Sequence, residues 1–254
     1  MRPAILFATL AVLSVTSGTA AAQTLTARTV RFTSAALGGQ ATFAVLVPAG
    51  YDSAAKRYPV VYLLHGGTQN HTAFAARSWF AREVTKRDLI AVMPHVPPFA
   101  YNGAAGRSLP VEAFVAELVQ HVDATYRTVA SREARAIAGL SMGGFGAVVA
   151  GFARSDLFAT VGAFSGAFGS GREARLAAAA AALPRERAPF FYLACGVADP
   201  ALSASRGLAA VLAAREIPHQ FREVPGAHTW EVWDPQTLAF IDMVTARPGF
   251  APTS

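Results

Sequence analysis

A single cysteine, Cys195, stands among 254 residues, so no intramolecular disulfide can form and stability has to come from a packed core. Its flanks, Phe190-Phe191-Tyr192-Leu193-Ala194 before it and Gly196 after it, read as the inside of an apolar strand, which makes it an inert core thiol. Lysine is nearly missing: two lysines accompany twenty arginines, and no run of basic residues occurs. A formal net charge of +6 dispersed in this way does not describe a nucleic-acid-binding face; it reads as a solvated, arginine-rich surface. An uninterrupted apolar stretch of roughly 18 residues, which a membrane span needs, is also lacking. The N-terminal run Ala4 to Leu13 contains Thr9 and is followed by Ser14, Thr16, Ser17 and Gly18, so stable membrane insertion is not expected. No internal repeat occurs, and the low-complexity patch Ala177 to Ala182 is compatible with an alanine-rich helix.

What is present at the N-terminus has the form of an export signal. Met1-Arg2 supplies the charged end, Ala4 to Leu13 the apolar core and Ala20-Ala21-Ala22 the small residues of a cleavage site. No cysteine stands at that site, so a lipidated N-terminus is not indicated. Removal of residues 1–22 leaves 232 residues and lowers the charge to +5. That length suits one large α/β domain, 23–254, in a secreted or periplasmic protein.

The rest of the chain alternates between two periodicities. Thr29 to Thr33 and Ala41 to Val47 alternate like paired strands around Gly38-Gly39, predicting an N-terminal antiparallel hairpin at a sheet edge. Val60 to Leu64, Leu89 to Met93, Ala134 to Ala138, Ala159 to Phe164, Phe190 to Ala194 and Gln220 to Val224 are short apolar runs between longer segments of helical periodicity. This pattern predicts a mainly parallel sheet with helices on both faces. One helix presents Val111, Phe114, Val115, Leu118 and Val122, with Ser108 and Pro110 suited to its start; another presents Leu208, Val211 and Leu212. Asp234-Pro235 reads as an N-cap and first residue of a final helix running through Leu238, Ile241 and Met243 toward Val244. No segment is long enough for a large lid domain, and the aperiodic connection His95 to Leu109 is expected to form part of a substrate pocket.

Chemistry concentrates in Ala138-Gly139-Leu140-Ser141-Met142-Gly143-Gly144. A buried-type strand running into Gly-x-Ser-x-Gly and then a helix is the pattern of a nucleophile elbow, which holds a serine on a strained turn. A serine hydroxyl is a poor nucleophile, and needs a histidine to take its proton and a carboxylate to orient the imidazole. In α/β-hydrolases these follow the serine as acid and then histidine. Asp199 lies just past the strand Phe190 to Ala194, and His228 lies in Pro225-Gly226-Ala227-His228, directly past Gln220 to Val224. His219, the competing histidine, starts that strand and so belongs to the opposite sheet edge; His65, His71, His95 and His121 precede the serine. The amide of Met142 and one from the turn after His65-Gly66, assigned to Gly67 with Gly66 in reserve, are expected to donate to an oxyanion. Tyr101 and Trp230 are the expected substrate-binding residues. The glycines Gly143, Gly144, Gly146 and Gly151 are costly in a helix and imply close packing on the sheet. No metal or organic cofactor is implied.

His65-Gly66-Gly67, Ser78-Trp79, Val92-Met93-Pro94, Gly139 to Gly144, Cys195-Gly196 leading to Asp199, and Gly226-Ala227-His228-Thr229-Trp230 together resemble the esterase D and antigen 85 group of α/β-hydrolases. The resemblance extends over about residues 41 to 245 and implies an α/β-hydrolase fold. The group includes tributyrin-type carboxylesterases, feruloyl and acetylxylan esterases, S-formylglutathione hydrolases and mycolyltransferases. The resemblance implies a serine-aspartate-histidine mechanism at Ser141, Asp199 and His228, with Met142 and Gly67 as oxyanion donors. His95 to Leu109 departs from the aromatic and acidic pattern of many tributyrin-type members, so acyl specificity does not transfer. Export argues against S-formylglutathione hydrolysis, a cytosolic step.

The expected function is therefore a secreted serine carboxylic ester hydrolase that forms an acyl-enzyme on Ser141. Its expected substrates are small-molecule short-chain esters or feruloyl and acetyl esters linked to polysaccharide. Two alternatives stay open: an exported acyltransferase of the mycolyltransferase type, and a non-catalytic carbohydrate- or surface-binding protein on the same fold. Neither a nucleic-acid partner nor an oligomeric state is indicated.

Overall fold

A computed structural model describes residues 27–102 and 109–253. The expected export signal, residues 1–22, and Ser108 lie outside the described residues. An eight-stranded sheet runs in the order β1-β2-β4-β3-β5-β6-β7-β8. The strands are β1 (Arg28–Ser34), β2 (Gly39–Leu46), β3 (Val60–Leu64), β4 (Ile90–Pro94), β5 (Arg135–Leu140), β6 (Thr160–Phe164), β7 (Phe190–Gly196) and β8 (His219–Val224). The antiparallel hairpin of β1 and β2 attaches antiparallel to β4, and all remaining pairings are parallel. The hairpin turns at Gly38, whose φ of 68° is one that glycine adopts without a steric penalty.

The interior parallel strands β3 to β7 are mostly apolar because both of their faces are covered. Val60, Tyr62 and Leu64 of β3 enter one core and Val61 and Leu63 enter the other. The first core is capped by α2 (Pro110–Thr125), α3 (Met142–Ala153), α4 (Glu173–Ala182) and α5 (Leu202–Ala214), and the second by α1 (Ser78–Thr85) and α6 (Trp230–Thr245). Such two-faced burial is what continuous Val/Ile/Leu runs require. The edge strand β8 alternates half-buried and exposed positions along most of its length. Among the described residues no connection holds more than one α-helix, which leaves no separate domain over the sheet. Cys195 is fully buried at the end of β7, and burial pushes its thiol pKa up.

The chain winds from β3 outward to β4, then returns to place β5 on the other side of β3. Open parallel sheets hold their sites outside the carboxyl ends of the strands at such a reversal, here those of β3 and β5. The segments after Leu64 and after Leu140 are thus neighbours by topology, although they are far apart in sequence.

The final helix differs from the sequence expectation. It begins at Trp230, with Thr229 as its cap and Pro235 inside it. The Thr229 carbonyl accepts the amides of Val232 and Trp233, each at 3.1 Å, while Asp234 forms an ion pair with Arg77 at 2.6 Å instead of capping. Pro235 has no N–H to give the preceding turn. The buried side chains of Val232 and Trp233 and the Arg77 contact hold that turn regardless.

The α3 helix is buried on all sides from Gly143 to Phe152, and its glycines are sites of contact. A Cβ on Gly151 would stand 2.4 Å from Val161 Cγ2 on β6. Gly151→Ala should therefore lower unfolding free energy by about 1–3 kcal/mol through overpacking, despite alanine's better helix propensity. Chemical denaturation of the double-mutant cycle with Val161→Ala should show favourable coupling, and additive losses would mean that this contact is not the cause.

Candidate active site

Ser141 occupies the turn between β5 and α3 with φ 54° and ψ −118°, a conformation that costs a non-glycine residue on the order of 1–3 kcal/mol. Neighbouring backbone holds it there. The Ser141 amide donates to Phe164 O at 2.9 Å, and the Ser141 carbonyl accepts from the Ala167 amide at 2.9 Å and from Phe145 at 3.1 Å. The turn closes only because Gly143 lacks a side chain: a Cβ there would stand 2.1 Å from the Leu64 carbonyl oxygen. Ser165, next to Phe164, also has a positive φ of 50° and is fully buried.

Three side chains from separate loops meet at this turn. His228, in the segment between β8 and α6, has Nε2 3.0 Å from Ser141 Oγ. Its Nδ1 lies 3.0 and 2.9 Å from the two oxygens of Asp199. Asp199 also accepts the Ala201 amide at 2.8 Å. The Asp199 side chain has no exposed surface, while 34% of the His228 side chain is exposed. A buried acceptor facing Nδ1 makes that nitrogen the protonated one in the neutral ring. Nε2 is thereby free to accept from the serine hydroxyl. Such an arrangement can take a proton from Ser141 and balance the resulting imidazolium against a carboxylate. Gly196 permits it, since a Cβ there would meet the Gly226 carbonyl oxygen at 2.3 Å and push the Asp199 and His228 turns apart.

Met142 is the first residue of α3, so its amide has no intrahelical acceptor and points out at the positive end of the helix. Gly67 lies beside it; a Cβ on Gly67 would be 3.2 Å from Met142 Cγ. Gly66, the reserve, has already committed its amide to Gln69 Oε1 at 3.0 Å.

The expected substrate contacts are placed less directly. Trp230 packs edge-on against Phe74 and Trp233 and lies under Arg77, 4.8 Å from its ring centroid. Tyr101 is buried against α3, so that a Cβ on Gly146 would come 2.4 Å from its ring. Tyr101 borders a groove of about 1150 Å³ between α3 and α4, which Ser141, Asp199 and His228 do not line. Residues 103–108 of the expected pocket loop lie outside the described residues.

The remaining histidines have other partners. His219 opens β8 with Nδ1 2.8 Å from Ile217 O, and His121 stacks on Phe32 at 4.7 Å. His65 has a more specific setting that the sequence did not reveal: its Nδ1 lies 2.7 Å from Gly66 O, and its Nε2 accepts the Val96 amide at 3.0 Å. Its ring stacks on His95 with centroids 5.3 Å apart. Gln69 and the Phe164-to-Ala167 strap were equally unmarked, since their partners are set by turn geometry. The Ser165-Gly166 pair, directly after a strand that adjoins β5, was the available signal.

A family model described as a putative esterase matches residues 34–181. An esterase of Mycobacterium tuberculosis (strain CDC 1551 / Oshkosh) is 36% identical over 130 residues, 46% of this chain and 27% of that protein. An endo-1,4-beta-xylanase/feruloyl esterase of Xylanibacter ruminicola is 31% identical over 154 residues, 54% of this chain and 21% of that protein. The chain thus spans about a quarter of the length of these curated relatives. A ferulic acid esterase structure from Anaeromyces mucronatus superposes with a TM-score of 0.68 at 26% identity, covering 85% of this chain and 89% of that one. An S-formylglutathione hydrolase structure from Staphylococcus aureus superposes at 0.70 with 22% identity, covering 86% and 98%. Both neighbours share the mainly parallel, doubly covered sheet.

Burial pulls the His65 pKa down to about 4, with His95 and His71 lowering it further and the bond to Gly66 opposing. The unfolded chain binds that proton near the ordinary histidine value of about 6.5, so the associated stability is full above that pH and is lost as pH falls through 4. Relative to His65→Asn, the wild type should lose at most about 3 kcal/mol more between pH 7 and pH 4. Parallel slopes in denaturant titrations of the two proteins would contradict a neutral, buried His65.

Proposed function

This chain belongs to the family of putative esterases, and from that premise we propose that it is a serine carboxylic ester hydrolase working through an acyl-enzyme on Ser141. The observation that carries the reading is the continuous hydrogen-bonded chain from Asp199 through His228 to Ser141 Oγ, at 2.9 and 3.0 Å. His228 Nε2 takes the hydroxyl proton as Oγ attacks the ester carbonyl carbon. The carbonyl oxygen gains charge and is met by the amides of Met142 and Gly67, the helix terminus at Met142 adding a fixed positive potential. Proton transfer from His228 releases the alcohol and leaves an acyl-serine. Water, deprotonated by the same nitrogen, then attacks and restores Ser141. Asp199 orients the imidazole and stabilises the imidazolium.

On this reading, residues 1–22 form a removed export signal and 23–254 a single catalytic domain of a secreted or periplasmic enzyme. Short acyl esters, or acetyl and feruloyl esters on polysaccharide, suit a site without a covering domain. The feruloyl esterase named among the relatives supports that class. Tyr101 and Trp230 stand as substrate-side residues on the strength of their positions near the β4 and His228 loops.

A fluorophosphonate should label the wild type at Ser141 and leave Ser141→Ala unlabelled. Ser141→Ala should lose roughly a million-fold in turnover if the three residues act as a unit, with thermal unfolding little changed. Turnover of p-nitrophenyl acetate, butyrate, octanoate and a feruloyl ester, with and without a sugar acceptor, identifies the acyl group and separates hydrolysis from transfer. Undiminished hydrolysis in folded Ser141→Ala would overturn the assignment. Asp199→Asn should cost about 10,000-fold by favouring the wrong tautomer of His228.

A further inference from the structure

The two amides assigned to the oxyanion are aimed by different means. Met142 is oriented by the helix it begins, whereas Gly67 sits in an exposed turn between β3 and α1 with no element of its own. Hydrogen bonds on the peptide before it do the aiming. Gly66 O accepts from the Gln69 amide at 3.1 Å and lies 2.7 Å from His65 Nδ1. Gln69 Oε1 holds the Gly66 amide from the other side at 3.0 Å. The Gly66–Gly67 peptide is trans, so its N–H points opposite to its C=O. Turning the Gly66 carbonyl inward, toward His65 and Gln69, therefore turns the Gly67 N–H outward. Gly67 itself lies against Met142, the other donor.

His65 can make this bond in only one tautomer. Val96 N–H donates to Nε2 at 3.0 Å, so Nε2 carries no proton and Nδ1 must be the donating nitrogen. A second ring proton would face the Val96 N–H head-on. The flat neighbour is His95, stacked at 5.3 Å, with His71 beyond it at 6.5 Å from His95. These are the titratable groups that bear on the ring, and both oppose a positive charge on it.

We propose that His65 is a positioning residue for the reaction: its Nδ1–H bond to the Gly66 carbonyl aims the Gly67 amide at the oxyanion that develops during attack by Ser141. The proposal rests on the ester-hydrolase reading of the site. It predicts an effect on turnover that leaves ground-state binding largely alone, because the oxyanion exists only in the transition state.

The test uses p-nitrophenyl butyrate with wild type, His65→Phe and His65→Asn, each first checked for folding by circular dichroism and thermal unfolding. Loss of a complete oxyanion donor costs about 100- to 1,000-fold; with the Gln69 amide still on Gly66 O, His65→Phe should lower kcat on the order of 10- to 100-fold, with KM changed less than about threefold. Asparagine can still present an N–H to the Gly66 carbonyl, so His65→Asn should recover most of the lost kcat. A structural role alone would lower the unfolding temperature of both variants and leave the kcat of folded protein unchanged. That result, or a His65→Asn variant no better than folded His65→Phe, overturns the proposal. Nitrogen-15 NMR of the wild type, which depends on no variant, should find His65 protonated at Nδ1 and bare at Nε2 at neutral pH; the opposite tautomer also overturns it. Wild-type protein that neither turns over the ester nor reacts with a fluorophosphonate would instead bring down the hydrolase reading itself, and this proposal with it.

Discussion

The contact on which the site depends is backbone against backbone: the first turn of α3 seated on the end of β3, with Gly143 so close to the Leu64 carbonyl that no side chain fits between them. This approach forces the chain to reverse sharply at Ser141, which is why that serine holds a positive φ of 54°. The strain is local, and its compensation is non-local. Phe164 and Ala167, on the far side of β5, clamp the Ser141 amide and carbonyl. The apolar packing of α3 between the sheet and its neighbouring helices anchors the other end of the turn. The same seating sets the serine at the sheet edge, directly before the N-terminus of α3.

Sheet topology then decides which loops can reach that point. Since β3 and β5 are neighbours although β4 intervenes in sequence, the Gly66-Gly67 turn arrives beside Met142. On the opposite side β6, β7 and β8 follow in order, so the loops after β7 and β8 bring Asp199 and His228 in from one direction. Gly196 lets those two loops touch. The Gly67–Met142 pair and the Asp199–His228 pair thus approach Ser141 from opposite flanks.

Much of this was readable from the chain because it rests on local rules. Val60 to Leu64 was bounded correctly since a strand buried on both faces is apolar at every position, and Gly-x-Ser-x-Gly after such a run marks a turn that only small neighbours permit. What escaped the reading was spent on distant partners. Asp234 looked like a cap because nothing local reveals that Arg77, 157 residues earlier, takes its carboxylate. β5 runs beyond the apolar run Ala134 to Ala138 through Gly139-Leu140, because these two residues pair with Leu64 and Phe164. The preference for Gly67 over Gly66 has a physical reason that the sequence does not mark: Gln69 Oε1 occupies the Gly66 amide.

The histidines carry the same lesson into chemistry. His228 and His65 are both hydrogen-bonded at both ring nitrogens, and sequence assigned a role to one alone. Their difference lies in what faces Nδ1. Opposite His228 stands a carboxylate with no solvent access, so a proton gained at Nε2 from Ser141 is balanced on the spot. Opposite His65 stands a neutral carbonyl, its Nε2 is already occupied by an amide, and its stacking neighbour is another imidazole. Among the described residues no carboxylate pairs with that ring, and burial drives it toward the neutral form. One environment suits a histidine to carry a proton, and the other suits it to be a fixed hydrogen-bond donor. In the proposed reaction both are needed within the same few ångströms, since a proton taken from the serine is productive only while the charge appearing on the carbonyl oxygen meets donors already held in place.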